Sequence, residues 1–411
     1  MTSESWRKNL YAIFVAEFLV IMGFSFVNPF MPLFIQELGN FTNQQSAFWA
    51  GIATSASGIA MFFSAPLWGI VADRWGRKPM VLRAMFGAGT VLALIGLAPN
   101  IYFVIALRFV QGLLSGTVAA ASALVAASTP RNKMPFAMGL LMVAVFTGTS
   151  FGPLAGGFIA DSIGYKAAFF ITGGLLFSGG FIVLLFVKEK FERPAKGQRA
   201  SLSSLLHLAK SREMLPLLLA LCALHAGPNM ITPIISLFIR ELNPEGMAAT
   251  ASGLAFSFMG VVAAISAVIA GRLGGHITLK KILVISCLGT SLLYLPPMWA
   301  RTVTQLVIFI ALTGLFKGGL MTSSNALIGL SVPRSQQGIA YGMAQSANAL
   351  GNGLGPQIGG SLANLMGFRP VFGVAGGLFM LIGGAVGKLL RGVTLEKPSA
   401  QKVSAGLRKA N

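Results

Sequence analysis

The sequence predicts an all-α polytopic membrane protein with twelve transmembrane helices in two pseudo-symmetric six-helix bundles. Three observations lead to this fold class: the composition, the spacing of the apolar runs and an internal repeat. The 411-residue chain is 55% hydrophobic and only 10% charged, and its mean hydropathy is +0.75. A soluble core does not need so much apolar sequence along the whole length of a chain.

Twelve apolar runs are long enough to cross a bilayer, which takes roughly 17 to 25 residues. Those of the first half lie near 9–35, 46–71, 79–98, 101–128, 134–160 and 166–187. Those of the second half lie near 213–239, 247–271, 280–299, 302–330, 336–363 and 369–391. The predicted domains are an N-terminal bundle over 1–187, a cytoplasmic linker over 188–212, a C-terminal bundle over 213–392 and a basic cytoplasmic tail over 393–411.

An internal repeat relates the two halves of the chain. A glycine and proline pattern of the fifth span returns 203 positions later in the eleventh span. Gly148, Gly152, Pro153, Gly156 and Gly157 correspond to Gly351, Gly355, Pro356, Gly359 and Gly360. Such a register indicates a duplicated unit. Because each copy has an even number of spans, the copies share one topology and are related by an axis along the membrane normal.

The distribution of basic residues predicts the orientation. The formal net charge is +20, which in a soluble protein would suggest a nucleic-acid partner. Here 25 of the 31 Lys and Arg residues lie on one side of the predicted spans, so no nucleic-acid partner is expected. The positive-inside rule predicts that this side, with both termini, faces the cytoplasm. The predicted location is the inner or plasma membrane. Below, "inner" means this predicted cytoplasmic side and "outer" the opposite side.

Two motifs carry the functional argument. A charged inner loop, residues 69–78, connects the second and third spans; its key residues are Gly69, Asp73, Arg74, Gly76, Arg77 and Lys78. The fifth span contains GTSFGPLAGG over 148–157, where glycines four apart allow close helix approach and Pro153 introduces a bend. The patterns G-x-x-x-D-R-x-G-R-K and G-x-x-x-G-P-x-x-G-G resemble the signature loop and the antiporter motif of the major facilitator superfamily, in its drug/proton antiporter branch.

This resemblance implies transport by alternating access, with the first, fourth, seventh and tenth spans lining a central cavity. It also implies that Asp73 lies near the start of the eleventh span, close to Gln336. A carboxylate beside a helix N-terminus is stabilised by roughly 0.3 to 2 kcal/mol, so this contact would hold the inner side closed. The alternative is that the loop only fixes topology. Similarly, the antiporter motif recurs in both halves, so it could serve packing alone.

The ionisable residues well inside the spans are Glu17, Arg108, His225 and Lys317, which lie on the four spans that the resemblance assigns to the cavity. Intramembrane charges usually face a bundle interior or a water-filled cavity. Polar residues of the same spans and of the eleventh span complete the predicted substrate cavity: Ser25, Asn28, Gln111, Ser115, Asn229, Thr232, Gln345, Asn348 and Asn352.

Glu17 is the predicted proton-coupling residue, because desolvation favours the neutral form of a carboxyl group. Its surroundings resemble the first helix of multidrug/proton antiporters, although Ser25 replaces the second acidic residue of those relatives. We expect Glu17 to lie in a water-accessible crevice; the alternative is permanent pairing with a base. Arg108, in an R-x-x-Q-G pattern that resembles the family's fourth helix, is the second predicted proton-coupling residue. It is expected to hold Glu17 or a substrate anion, or to change the pKa of Glu17 as the cavity hydrates.

The predicted function is proton-coupled efflux of amphipathic small molecules by a secondary transporter, with protons and the lipid bilayer as further partners and a monomer as the working unit. Alternatives are export or flipping of one anionic or lipid-like substrate, ion-coupled uptake, or a membrane sensor or scaffold. No enzyme is predicted, because the sequence has neither a G-x-x-x-x-G-K-[ST] loop nor a His, Cys and carboxylate cluster. No cofactor or metal is therefore expected.

Overall fold

The computed structural model describes residues 5–130, 133–189, 214–274, 276–330 and 337–389. These residues form fourteen α-helices and one 3-10 helix, with no strand among them. The first-half helices are α1 Ser5–Val27, α2 Met31–Glu37, α3 Asn43–Trp75, α4 Lys78–Ile95, α5 Ile101–Leu114, α6 Thr117–Ser128, α7 Met134–Ile163 and α8 Tyr165–Phe186. The second-half helices are α9 Met214–Leu242, α10 Ala248–Leu273, α11 Leu279–Leu293, α12 Val303–Leu330, α13 Gln337–Met366 and α14 Phe368–Leu389. The predicted linker and tail fall almost wholly outside the described residues.

Eleven segments of the described chain are long and apolar enough to cross a membrane. The eleventh predicted span, α13, is not among them, yet its 30 residues reach about 45 Å at 1.5 Å per residue, which exceeds the hydrocarbon thickness. Its many glycine and amide residues lower its hydropathy, and it is packed between other helices. The all-helical polytopic fold predicted from the sequence is confirmed.

The two halves pack their helices in the same way. In the first bundle α1 packs on α7 and α8, α3 on α5, and α4 on α8. In the second bundle α9 packs on α13 and α14, α10 on α12, and α11 on α14. Each contact of the first set has its counterpart in the second, as a duplicated six-helix unit requires.

The bundles meet along two seams, α3 with α13 and α7 with α10. In the outer halves of these helices glycines contact the backbone of the opposite bundle: Gly157 lies against Ala249, and Gly360 lies against Ala47. We call these contacts the outer seams. In the inner halves, a methyl group added to Gly69, Gly139 or Gly271 would meet no atom within 4 Å. The glycine contacts between the bundles therefore lie in the middle and outer parts of these helices, whereas these three inner glycines face open space.

The fourth predicted span, 101–128, is long and apolar enough to cross a membrane, as predicted, but it consists of two helices and not one. The chain breaks between α5 and α6, where Ser115 is extended and Gly116 has a φ of 112°. Glycine tolerates this left-handed conformation, because it has no β-carbon to clash with the backbone.

Side chains from neighbouring helices donate hydrogen bonds to three carbonyl oxygens beside the break. Ser64 Oγ donates to the Gly112 oxygen at 3.3 Å. Trp68 Nε1 donates to the Leu113 oxygen at 2.6 Å, and Arg83 Nη2 donates to the Ser115 oxygen at 3.1 Å. The Arg83 guanidinium also stacks on the Trp68 ring, 3.7 Å from its centroid. These bonds satisfy a helix end that lies within the membrane-spanning part of the chain.

Proline explains two further differences from the predicted spans. The first span was expected over 9–35, but α1 ends at Val27 and the short α2 begins at Met31, with Pro29 and Pro32 around the turn. The ninth span was expected over 280–299, but α11 ends at Leu293 and a 3-10 helix covers Pro296–Trp299. A proline has no N–H to continue the hydrogen-bond ladder of a preceding helix.

Candidate functional site

Glu17 lies in the middle of α1 and is fully buried, with 0% of its surface exposed. Neither carboxylate oxygen has a hydrogen-bond partner among the described residues, although Thr117 at the start of α6 lies beside it. Helices α6, α7 and α8 cover α1, and Gly179 of α8 packs closely against Ala16. The expectation that Glu17 lies in a water-accessible crevice is therefore wrong for this conformation, because helices of its own bundle enclose it.

Arg108 of α5 is also buried, with 4% of its surface exposed. Its Nη1 donates to Gln111 Oε1 at 3.1 Å, while its Nε and Nη2 have no partner among the described residues. Gln111 is equally buried. The structure forms no bond between Arg108 and Glu17 in this conformation, and both sites keep buried polar groups unsatisfied. A direct contact with Glu17 was one of several roles expected for Arg108.

A polar cluster occupies the C-terminal bundle where α9 faces α13. Asn229 Nδ2 donates to Asn352 Oδ1 at 2.9 Å and to the backbone oxygen of His225 at 2.8 Å. Lys317 of α12 lies near enough to His225 for an electrostatic interaction, and its Nζ is 4.0 Å from Met259 Sδ. We call His225, Asn229, Lys317 and Asn352 the C-bundle polar cluster. It brings together residues that the sequence placed on three different spans.

The other predicted cavity residues differ in exposure. Asn28 and Gln345 are exposed, while Ser25, Ser115, Thr232 and Asn348 are half-buried. Asn348 Nδ2 donates to Gln345 Oε1 at 3.0 Å. The hydroxyls of Ser115 and Thr232 donate to backbone oxygens of their own helices, which leaves their acceptor lone pairs available to a ligand.

The charged inner loop is shorter than predicted. Helix α3 continues to Trp75, so Gly69, Asp73 and Arg74 are helical, and the turn itself is Gly76 with a φ of 97°. The Asp73 side chain and Gln336 lie outside the described residues. The proposed inner contact of Asp73 with the eleventh span therefore stays a prediction.

Glu189 holds this loop against the end of α8, a role that sequence reasoning missed. Its carboxylate accepts from the backbone nitrogens of Arg77 and Lys78, each at 2.8 Å. Lys78 Nζ in turn donates to the carbonyl oxygens of Leu184 and Val187 at 2.8 and 2.7 Å. Glu189 lies in the predicted linker, where a carboxylate in a run of basic residues was the only available signal.

The antiporter motif packs α7 on two neighbours. Gly148, Gly152 and Gly156 each lie against the backbone or β-carbons of α1, whereas Gly157 lies against α10 of the opposite bundle. Their repeat equivalents do the same: Gly351, Gly355 and Gly359 lie against α9, and Gly360 lies against α3. The motif thus builds both a contact within each bundle and an outer seam between the bundles.

Two hydrogen-bonded contacts between the bundles were also missed. Arg240 Nη1 of α9 donates to Gln36 Oε1 of α2 at 3.0 Å. Asp161 Oδ2 of α7 accepts from the backbone nitrogen and the hydroxyl of Thr250 in α10, both at 2.7 Å. Both pairs lie at outer helix ends. The sequence did not indicate these two contacts, because residues at the ends of apolar runs show no periodic pattern.

Comparisons with known proteins agree with this architecture. The family model of the Major Facilitator Superfamily matches residues 13–295 and 217–410. A multidrug resistance protein, MdtG, of Escherichia coli O17:K52:H18 (strain UMN026 / ExPEC) is 35% identical over 381 residues, which cover 92% of this chain and 93% of that protein.

Solved structures show the same fold at low sequence identity. A bacterial homologue of the human lysosomal transporter Spinster, inward-facing and occupied, has a TM-score of 0.77 and 14% identity, covering 93% of this chain and 97% of its own. The human organic anion transporter MFSD10 (TETRAN) has a TM-score of 0.68 and 20% identity, covering 93% and 99%. The structure has two packed copies of a six-helix unit, the sequence has the motifs of the family, and a relative matches over nearly its whole length. This chain therefore belongs to the major facilitator superfamily and is a multi-pass membrane transporter.

Proposed function

We propose that this protein exports amphipathic small molecules in exchange for protons, by rocking its two bundles against each other so that the two sides of the membrane open alternately. The similarity to a multidrug resistance protein supports a small-molecule substrate. The proton part of the proposal is carried by one observation: Glu17 is a fully buried carboxyl group without a hydrogen-bond partner among the described residues.

Burial decides which form of Glu17 suits this conformation. An ionised carboxylate that is removed from water without a partner costs several kcal/mol, whereas a neutral carboxylic acid loses only the hydration of a polar group. We therefore expect Glu17 to carry a proton in this conformation. In the proposed cycle this is a step after the proton has arrived from the outside and before it leaves to the inside.

The start of α6 lies next to Glu17 and favours the ionised form of its carboxyl group. The break at Gly116 creates a helix N-terminus at Thr117, next to the carboxyl group. A helix N-terminus stabilises a negative charge by about 0.3–1 kcal/mol, and interrupted helices provide ion sites of this kind in other transporters. Once water reaches Glu17 from the inner side, the start of α6 stabilises the carboxylate that remains.

Substrate binding is assigned to the space between the bundles. The C-bundle polar cluster offers amide donors and acceptors, and the residues around it are largely apolar. An amphipathic molecule would bind with its polar group on this cluster and its apolar part against the helices, as in most small-molecule sites. The working unit is a monomer, in the inner or plasma membrane.

The test uses purified protein in liposomes with an imposed pH gradient and a panel of fluorescent amphiphiles. Glu17→Gln keeps the shape of a protonated carboxyl, so we expect exchange of substrate for substrate to persist. Gradient-driven transport should fall by roughly 5- to 150-fold, the usual size of a coupling between two ligands. Substrate exchange by the variant should also lose its dependence on pH.

Glu37→Gln is the matched control, because Glu37 is exposed at the outer end of α2. It should transport like the parent protein. If Glu17→Gln also keeps gradient-driven transport, Glu17 does not carry the coupled proton. If no compound moves in response to the gradient in the parent protein, the antiport proposal itself fails.

A second candidate is export of an anionic amphiphile, favoured by the two intramembrane cations. Lys317 and Arg108 form no bond with a carboxylate among the described residues. Unpaired charges inside a membrane protein are costly and usually have a function. An acidic or phosphate-bearing substrate could compensate one or both of them.

Lys317→Met tests this candidate, since methionine has a similar length without the charge. If the substrate is anionic, its transport should fall by roughly tenfold or more, the effect of about 1.4 kcal/mol, while lipophilic cations should not compete for it. Lys166→Met, at an exposed outer position, serves as the control. Unchanged transport of acidic compounds by Lys317→Met would remove this candidate.

A further inference from the structure

The start of α10 has no capping side chain of its own. Its N-cap residue is Met247, which makes no side-chain hydrogen bond to the helix. The first four backbone N–H groups of a helix have no partner within the helix, and Ser, Thr, Asp or Asn normally supplies an acceptor. Thr250 is the third residue of α10, so its N–H is one of these groups.

The missing acceptor comes from the other bundle. Asp161 Oδ2 accepts from the Thr250 nitrogen and from the Thr250 hydroxyl, both at 2.7 Å. These are short bonds to an ionised acceptor, which is the stronger class of hydrogen bond. A carboxylate of α7 thus acts as the N-cap of α10 across the interface of the bundles.

Asp161 is poorly placed with respect to its own helix. It lies in the last turn of α7, which ends at Ile163 and contains no basic residue there. The C-terminus of a helix repels a negative charge, while an N-terminus attracts it. The position of this carboxylate is therefore explained by α10 and not by α7.

The cap exists only while the outer seam is closed. Asp161 lies one turn beyond Gly157, which contacts Ala249 of α10. If α7 and α10 separate on the outer side, Thr250 loses its acceptor and Asp161 loses both donors. By contrast, α3 is capped within its own segment by Thr42 and Gln45. Opening the other outer seam would therefore break the hydrogen bond from Ser55 Oγ to the Gly353 oxygen but would remove no helix cap.

We propose that Asp161 is an outer-gate residue, whose carboxylate stabilises the state that is closed on the outer side by capping α10 in the opposite bundle. The proposal goes beyond the proposed transport function, since it holds for any substrate and any coupling ion. The Asp161 carboxylate then contributes part of the free-energy difference between the outer-closed and the outer-open state.

The test measures the distance between the bundles on the outer side, by spin labels on Lys166→Cys and Glu245→Cys in a background without Cys222 and Cys287. Both labelled positions are exposed. In lipid nanodiscs without substrate, Asp161→Ala should raise the ratio of outer-open to outer-closed protein about tenfold or more, because bonds to a charged acceptor are lost. Glu241→Ala is the control, since Glu241 is an exposed carboxylate at the same kind of helix end and should leave the distances unchanged.

A second substitution separates gating from simple helix stability. Met247→Ser supplies α10 with a cap from its own bundle. In the double variant, Met247→Ser should restore the midpoint of thermal unfolding that Asp161→Ala lowers. The distances between the two spin labels should remain those of the outer-open state. Unchanged distances in Asp161→Ala would overturn the proposal, and so would distances that Met247→Ser restores together with the unfolding midpoint.

Discussion

At the scale of single residues, the interrupted fourth span depends on side chains that bind its free carbonyl oxygens. Trp68 donates to Leu113 at 2.6 Å and carries the stacked Arg83. Trp68→Phe keeps the ring but removes the donor, which leaves a helix-end carbonyl without this partner. We expect the free energy of unfolding in mixed micelles to fall by about 1–3 kcal/mol, the cost of an unsatisfied buried group.

Trp75→Phe is a matched comparison, because Trp75 lies at the end of the same helix and 73% of its surface is exposed. It should change the free energy of unfolding by less than about 0.5 kcal/mol. Equal effects of the two substitutions would show that the Trp68 hydrogen bond contributes nothing to stability.

Glu17 also shows how far residue-level prediction reaches in a membrane protein. Its position within a span could be read directly from the sequence, because a charge interrupts an apolar run. Its enclosure could not, since α1 is apolar on all faces and lipid and protein neighbours are equally apolar. The periodicity that identifies a buried face in a soluble helix is absent here.

At the scale of helices, the outer seams depend on glycines that admit the opposite backbone. A methyl group on Gly157 would overlap the Ala249 carbonyl, and one on Gly360 would overlap that of Ala47. Overpacking of this kind costs about 1–3 kcal/mol. Gly157→Ala and Gly360→Ala should each favour the outer-open distances between labels at Lys166→Cys and Glu245→Cys.

Gly174→Ala is the control for these substitutions, because a methyl group there meets no atom within 4 Å. It should leave the distance distribution unchanged. A shift for Gly157→Ala without one for Gly360→Ala would mean that the two seams do not open together.

The helix-level predictions succeeded where a pattern had a direct physical cause. The glycines of 148–157 predicted close packing, and they do lie against α1 and α10. The break at Gly116 was missed, although the dipeptide Ser115-Gly116 is a turn signal, because the apolar run around it was long enough for one span. The cap of α10 could be suspected from Met247, but no local pattern indicates which distant carboxylate supplies it.

At the scale of the whole molecule, the distribution of basic residues predicts the orientation in the membrane. In a background without the half-buried Cys222 and buried Cys287, a membrane-impermeant thiol reagent should label Lys166→Cys in intact cells. Lys281→Cys should be labelled only after the membrane is opened, because the positive-inside rule places it in the cytoplasm. Both positions are exposed, and the opposite labelling pattern would invert the assigned topology.

The interruption of the fourth span has no counterpart in the second copy, where α12 runs unbroken from Val303 to Leu330. The duplicated units have therefore acquired different mechanical properties. The N-terminal unit has a helix break beside Glu17 that the corresponding helix of the C-terminal unit lacks. If the proposed exchange with protons is correct, we expect proton movement to begin as a local change at this break in the N-terminal unit and to become a motion of the whole transporter afterwards.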